Sequence, residues 1–155
     1  MISKKNLKVI EEVLFNIFTR NEKVDEDMLK KIHLIPGIYI KKLGKNEVIS
    51  HIGFNIEQIH ILIDGEVFVV RYEDNGSMIY LDEIEAPKIL GIYEYLGGCN
   101  RHSASLSSKN KSTYICIEPK LYKELMLESG KISYITSVYL SSFIYDRLEK
   151  YECPV

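Results

Sequence analysis

The sequence predicts a mainly β fold with flanking helices: a double-stranded β-helix, or jelly roll, with N-terminal helices and a long C-terminal helix. Three observations predict it. Helical periodicity runs to about residue 34 and is cut by Pro36-Gly37. From there to about residue 117, short β-branched and aromatic runs alternate with glycine turns, the texture of an all-β barrel or roll rather than of βαβ units. Finally, Ile132–Tyr151 contains neither Pro nor Gly. At 155 residues, 46% hydrophobic and 27% charged, the chain has the size and composition of one globular domain. It divides into a helical lead-in (1–34), a β-roll (35–117) and C-terminal helices (118–155).

In the lead-in, Leu7, Ile10, Val13, Leu14, Ile17 and Phe18 recur at helical spacing behind Ser3, an N-cap, which predicts a helix over about 4–20. Asp25 caps a second, shorter helix through Met28, Leu29 and Ile32. The strand-like runs are Ile38–Lys42, Glu47–His51, Ile59–Ile63, Glu66–Tyr72, Met78–Ile84, Ser103–Ser107 and Thr113–Ile117. A further strand precedes Gly91. Asp64-Gly65 and Asn75-Gly76 read as hairpin turns, because tight primed turns need residues that tolerate positive φ. Gly97-Gly98 reads as a turn between a short helix and the next strand. Pro119 suits the first turn of a helix through Leu121, Leu125 and Met126. The last helix, about 20 residues or ~30 Å long, is apolar around much of its circumference, with Tyr134, Tyr139, Tyr145 and Tyr151 among its aliphatics. One face packs on the roll, so a second face is expected to meet a partner helix.

Charge and cysteine usage exclude several classes. The net charge is −2, from 20 basic and 22 acidic residues, so no overall field draws the chain to nucleic acid or anionic membrane. Glu11 and Glu12 interrupt any apolar core of a signal peptide, and no run reaches the roughly 18–20 apolar residues of a membrane span. Cys99, Cys116 and Cys153 have no CxxC spacing and fit a reducing compartment. The expected location is cytoplasmic. His33, His51, His60 and His102 are dispersed, which disfavours a metal or haem site; no G-x-S-x-G, H-E-x-x-H or Walker loop points to an enzyme. Cys99 is weighed as a redox thiol, with Arg101 its only obvious activator, against an inert loop cysteine. Cys153 could pair across a dimer axis.

The most telling stretch is Leu90-Gly91-Ile92-Tyr93-Glu94-Tyr95-Leu96-Gly97-Gly98-Cys99-Asn100-Arg101-His102-Ser103-Ala104. Together with Lys45–Ile49, Gly53, the run Ile59–Val67 around Asp64-Gly65, the strand Thr113–Ile117 and the long last helix, it resembles the effector domain of Crp/Fnr-type bacterial transcription regulators. The resemblance implies a cyclic-nucleotide-binding-like β-roll in which Leu90-Gly91 and Ser103-Ala104 bracket a phosphate-binding cassette. It also implies dimerisation through the last helix.

Two positions depart from that cassette. The family's Glu after the glycine, which binds a ribose hydroxyl, is Ile92 here. Its Arg before Ser-Ala, which forks onto the cyclic phosphate, is His102. Arg101 comes one residue too early, and Glu94 reaches inward only if the turn is rebuilt. These departures argue against cyclic AMP. The resemblance then implies an effector-sensing, dimerising domain with a small anionic effector other than cyclic AMP, and with no cofactor or metal. The expected pocket is Gly91, Tyr93, Glu94, Arg101, His102, Ser103 and Ala104. The expected dimer seam and flanks are Ile135, Val138, Tyr139, Ser142, Phe143 and Tyr145. Contact with DNA is expected only through a helix-turn-helix domain absent from this chain, which is either an excised effector module or a protein without that half. The alternative is a standalone interaction or dimerisation module whose pocket is filled by its own side chains.

Overall fold

The computed structural model describes residues 2–150; Tyr151 and Cys153, weighed above, lie outside the described residues. Helix α1 (Lys4–Phe18) starts at Ser3, whose hydroxyl accepts from the Asn6 amide at 3.1 Å. Helix α2 (Glu26–His33) starts at Asp25, which accepts from the Met28 amide at 2.8 Å. The strands are β1 (Ile38–Leu43), β2 (Val48–Ser50), β3 (Ile59–Asp64), β4 (Glu66–Tyr72), β5 (Met78–Glu85), β6 (Lys88–Leu90), β7 (Ser105–Ser108) and β8 (Ser112–Ile117). A five-residue helix α3 (Ile92–Leu96) sits between β6 and β7, and α4 (Pro119–Glu128) and α5 (Gly130–Lys150) close the chain. Pro119 occupies the first turn of α4, as its position predicts.

All strand pairs are antiparallel, in two four-stranded sheets ordered β1-β8-β3-β6 and β2-β7-β4-β5. The first sheet is buried on both faces, and strand alternation divides its side chains between two cores. Tyr114 and Cys116 of β8 face the roll interior with Leu62, Val67, Leu90 and Leu106. Ile115 and Ile117 face the helices, where they join Ile59, Ile61, Ile10, Leu14, Leu125 and Ile132. This explains why β8 reads as a continuous apolar run rather than an alternating one. Burial pushes the Cys116 thiol up to about 11, so it is an inert core group.

Asn75-Gly76 does form a hairpin, between β4 and β5. Asp64-Gly65 does not. β3 pairs with β6 and β8, whereas β4 pairs with β5 and β7, so Gly65 turns the chain from one sheet into the other. Its φ is +101°, and a Cβ there would lie 2.5 Å from the Lys111 carbonyl oxygen. The dipeptide encodes a tight turn but not the sheet the next strand joins. The strand expected over Ser103–Ser107 runs Ser105–Ser108, because the chain bends at Ser103-Ala104 before pairing begins.

The α4–α5 elbow is fixed by hydroxyls. Thr136 Oγ1 donates to the Ile132 carbonyl at 2.8 Å, so the Tyr122 phenol donates to Thr136 at 2.6 Å. Ser129 accepts from the Ile132 amide at 3.1 Å and donates to Glu11 of α1 at 2.6 Å. These contacts lay the first half of α5 across the helical core and send its second half over the mouth of the roll. Among the described residues, no helix is long and apolar enough to cross a membrane.

Candidate functional site

A cavity of about 540 Å³ lies between the roll and the second half of α5. Its floor comes from the segment singled out in the sequence. Gly91 ends β6 with φ +89°, a conformation that lets the chain turn at once into α3. Ile92 then points into the core, fully buried, and anchors the short helix. One helical turn carries Tyr93 and Glu94 to the cavity side. Glu94 does reach inward, and it is only 9% exposed.

The polar chain on this floor has a fixed direction. Ser103 Oγ donates to Glu94 Oε1 at 2.8 Å. With that hydrogen committed, the 2.7 Å contact between Tyr93 and Ser103 is a donation from the phenol. Glu94 Oε2 is buried and has no hydrogen-bond partner. Burial holds the Tyr93 phenol above its ordinary range, with the Glu94 carboxyl adding to the rise and Ser103 opposing it. Burial also lowers His102, against the pull of Glu94. The anion cradle expected around Ser103 is therefore filled from within: its serine hydrogen is given to a carboxyl group, where an incoming anion would be repelled.

The roof is aromatic. Tyr93 stacks on Phe143 of α5 with ring centroids 5.2 Å apart and planes at 15°. The Arg147 guanidinium lies 5.1 Å from the Phe143 centroid. Tyr139 completes the wall; burial pushes its phenol up to about 12. The remaining charge around the cavity is mostly acidic: Asp82, Glu83, Glu85 and Asp146, against Lys88 and Arg147. Lys109, outside the cavity, bonds Glu83 at 2.6 Å.

Gly91, Tyr93, Glu94, His102, Ser103 and Ala104 of the expected pocket all line this cavity. Arg101 does not. It bridges to Asn55 before the bend and lines a second, more open groove of about 620 Å³ on the other side, with Lys41, His51, Phe54, His60 and His102. Its one-residue displacement puts the guanidinium out of reach of the cassette. Cys99 is exposed on the loop leading to it.

The expected seam divides similarly. Val138, Ser142 and Tyr145 are exposed, but Ile135 is buried in its own core at 4% exposure. Tyr139 packs edge-on against Phe18, and Phe143 is held by Tyr93. These three face inward because the roll and α1 cover that side of α5. Sequence reasoning gave Tyr139 and Phe143 to a partner and missed Asp146 and Arg147 altogether. Their i, i+4, i+7, i+8 spacing was a usable signal for one helix face.

The fold is that of a cyclic-nucleotide-binding-like β-roll with flanking helices. No family model matches the chain, and no curated relative does. Solved structures do. A transcriptional regulator from Thermotoga maritima is 18% identical, with a TM-score of 0.63 over 79% of this chain and 95% of that one. The sensor domain of the transcriptional regulator DNR from Pseudomonas aeruginosa is 14% identical, with a TM-score of 0.61 over 96% and 97%. The catabolite activator protein of Thermus thermophilus is 13% identical at TM-score 0.57, and the match spans 54% of its length. At these identities the likeness is one of fold.

Proposed function

We propose that this chain is the effector-sensing, dimerising domain of a Crp/Fnr-like bacterial regulator, acting in the cytoplasm by binding rather than catalysis. The effector is not cyclic AMP. The single observation that carries the reading is the Tyr93–Phe143 stack, which ties the floor of the cavity to the long helix. A ligand that enters the cavity must compete with or reshape that contact, so α5 geometry and occupancy are linked. In a full-length regulator, α5 would pass the change to a DNA-binding domain outside this chain. The opposing reading, a module with a self-filled pocket, draws support from the Tyr93–Ser103–Glu94 chain, but the open 540 Å³ beside it weighs against complete filling.

The dimerising face is the outer side of α5. Tyr134, Val138, Ser141, Tyr145 and Leu148 repeat at alternating four- and three-residue steps, and all are exposed. That spacing is the seam of a left-handed helix pair. Sedimentation is expected to show a dimer at micromolar concentration. Val138→Lys combined with Tyr145→Lys shifts it to monomer without loss of the far-ultraviolet spectrum. A monomeric wild type, or a double variant that remains dimeric, removes this interface.

A further inference from the structure

Resting on the proposal that the cavity between the roll and α5 takes an effector, we infer that it selects an organic cation: an ammonium or amine of small-metabolite size. Four features converge. Glu94 is more than nine-tenths buried, lines the cavity, and leaves Oε2 without a donor. A buried acceptor without a partner is uncommon and costly; Oε2 is sealed as it stands, so a rotation of the Glu94 side chain that turns it to the cavity and to a ligand N–H relieves that cost. The Ser103 hydroxyl already serves Oε1 and accepts from the Tyr93 phenol, so the floor has no free serine donor for an anion.

The wall opposite carries the rings of Tyr93, Phe143 and Tyr139; Tyr93 and Phe143 cover one another, and the Phe143 ring already holds the Arg147 guanidinium, so this wall accommodates a cation. The charges around the volume are also asymmetric. Glu85 and Asp146 stand with Glu94 against Lys88 and Arg147, even when Glu83 is discounted for its bond to Lys109 and Asp82 is set aside. Lys88 is turned to the Pro87 carbonyl at 3.3 Å, and Arg147 lies over the Phe143 ring. An anion would have to displace Glu94 from Ser103 and approach the remaining carboxylates. A cation meets carboxylates at the rim and a wall that already holds one cation, Arg147, over a ring, with the Glu94 carboxyl beneath.

The test is an amide-resolved NMR titration of the ¹⁵N-labelled chain with choline, phenethylammonium and spermidine, each to about 10 mM. Inorganic phosphate, cyclic AMP and 3,3-dimethylbutan-1-ol, the uncharged isostere of choline, are run in parallel. At least one ammonium ion is expected to shift the amides of Gly91, Glu94 and Ser103, with the neutral isostere and the anions silent at equal concentration. Glu94→Gln, which keeps an acceptor for Ser103, should weaken that binding about tenfold or more, as loss of a charge-assisted bond implies. Asp146→Asn, an exposed change that spares the fold, should weaken it a few-fold.

Silence of all three ammonium ions overturns the inference, as does binding that Glu94→Gln leaves unchanged. If phosphate, cyclic AMP or the neutral alcohol shifts the cavity amides instead, along with those of Ser141, Ile144 and Leu148 on the outer side of α5, the cation assignment fails and the sensing role stands. If an ammonium ion binds without moving those outer amides, the cation assignment stands and the sensing role fails.

Discussion

The cavity under α5 and the groove on the far side of the Ser103 segment share two residues, Ser50 and His102, and otherwise differ in kind. The inner cavity is roofed by aromatic rings, and most of the charged residues that line it are carboxylates. The outer groove is more open and collects Lys41 and Arg101 with three histidines, against Glu57 alone among the acids. A cassette with its arginine one position later would carry that charge at the position of His102, which lines both sites, rather than in the outer groove alone.

Three experiments test that contrast, beginning with the structure both sites depend on. Ile92→Ala removes the fully buried anchor of α3 and should cost about 3 kcal/mol in urea unfolding. Because α3 carries Tyr93 and Glu94, the inner cavity should lose its order while the outer groove keeps its own. A cost below about 1 kcal/mol would mean that α3 is not held by the core.

The second experiment concerns the outer groove. Desolvation first, then Lys41 and His102, depress His60 to about 4. The unfolded chain binds a proton there near pH 6.5, whereas the native state does so only near 4, so between those values the unfolded state holds more protons. Stability should therefore be complete above about pH 6.5 and fall as the pH drops toward 4, by about 2 kcal/mol at pH 5. His60→Gln should remove that slope, measured as the difference in urea midpoints between pH 7 and pH 5. An unchanged slope would place the acid sensitivity elsewhere.

The smallest effect is expected from Arg101→Ala. An exposed side chain outside the inner cavity should change stability by no more than about 0.5 kcal/mol. It should also leave the inner-cavity amides where they were. A shift at Glu94 or Ser103 would show that the two sites are one.

Much of the roll was legible because its signals are local. Ser3 and Asp25 cap their helices where oxygen side chains precede an apolar period, and Pro119 opens α4 as a first-turn proline does. Asn75-Gly76 made its hairpin. Asp64-Gly65 misled because the same dipeptide serves an inter-sheet corner, and no local rule says which sheet follows. At the site, Ile92 and His102 were readable as departures from a known cassette. That Glu94 would take Ser103 was not, since it depends on a five-residue helix whose turn is set by Ile92 entering the core.

The long helix marks the same boundary. Its length, its lack of Pro and Gly, and its apolar circumference are properties of the chain alone, and they raised the expectation of a second covered face. Which residues belong to which face was decided by packing. Ile135, Tyr139 and Phe143 went to the roll and α1 because those surfaces lie against them, and Tyr134, Val138 and Tyr145 were left outside. The sequence by itself determined the fold, the caps and the presence of Ile92 and His102 where the resembled cassette has Glu and Arg. Only the tertiary structure decided where Arg101 and Glu94 point, because a side chain's direction depends on bends and anchors supplied by residues distant in the chain.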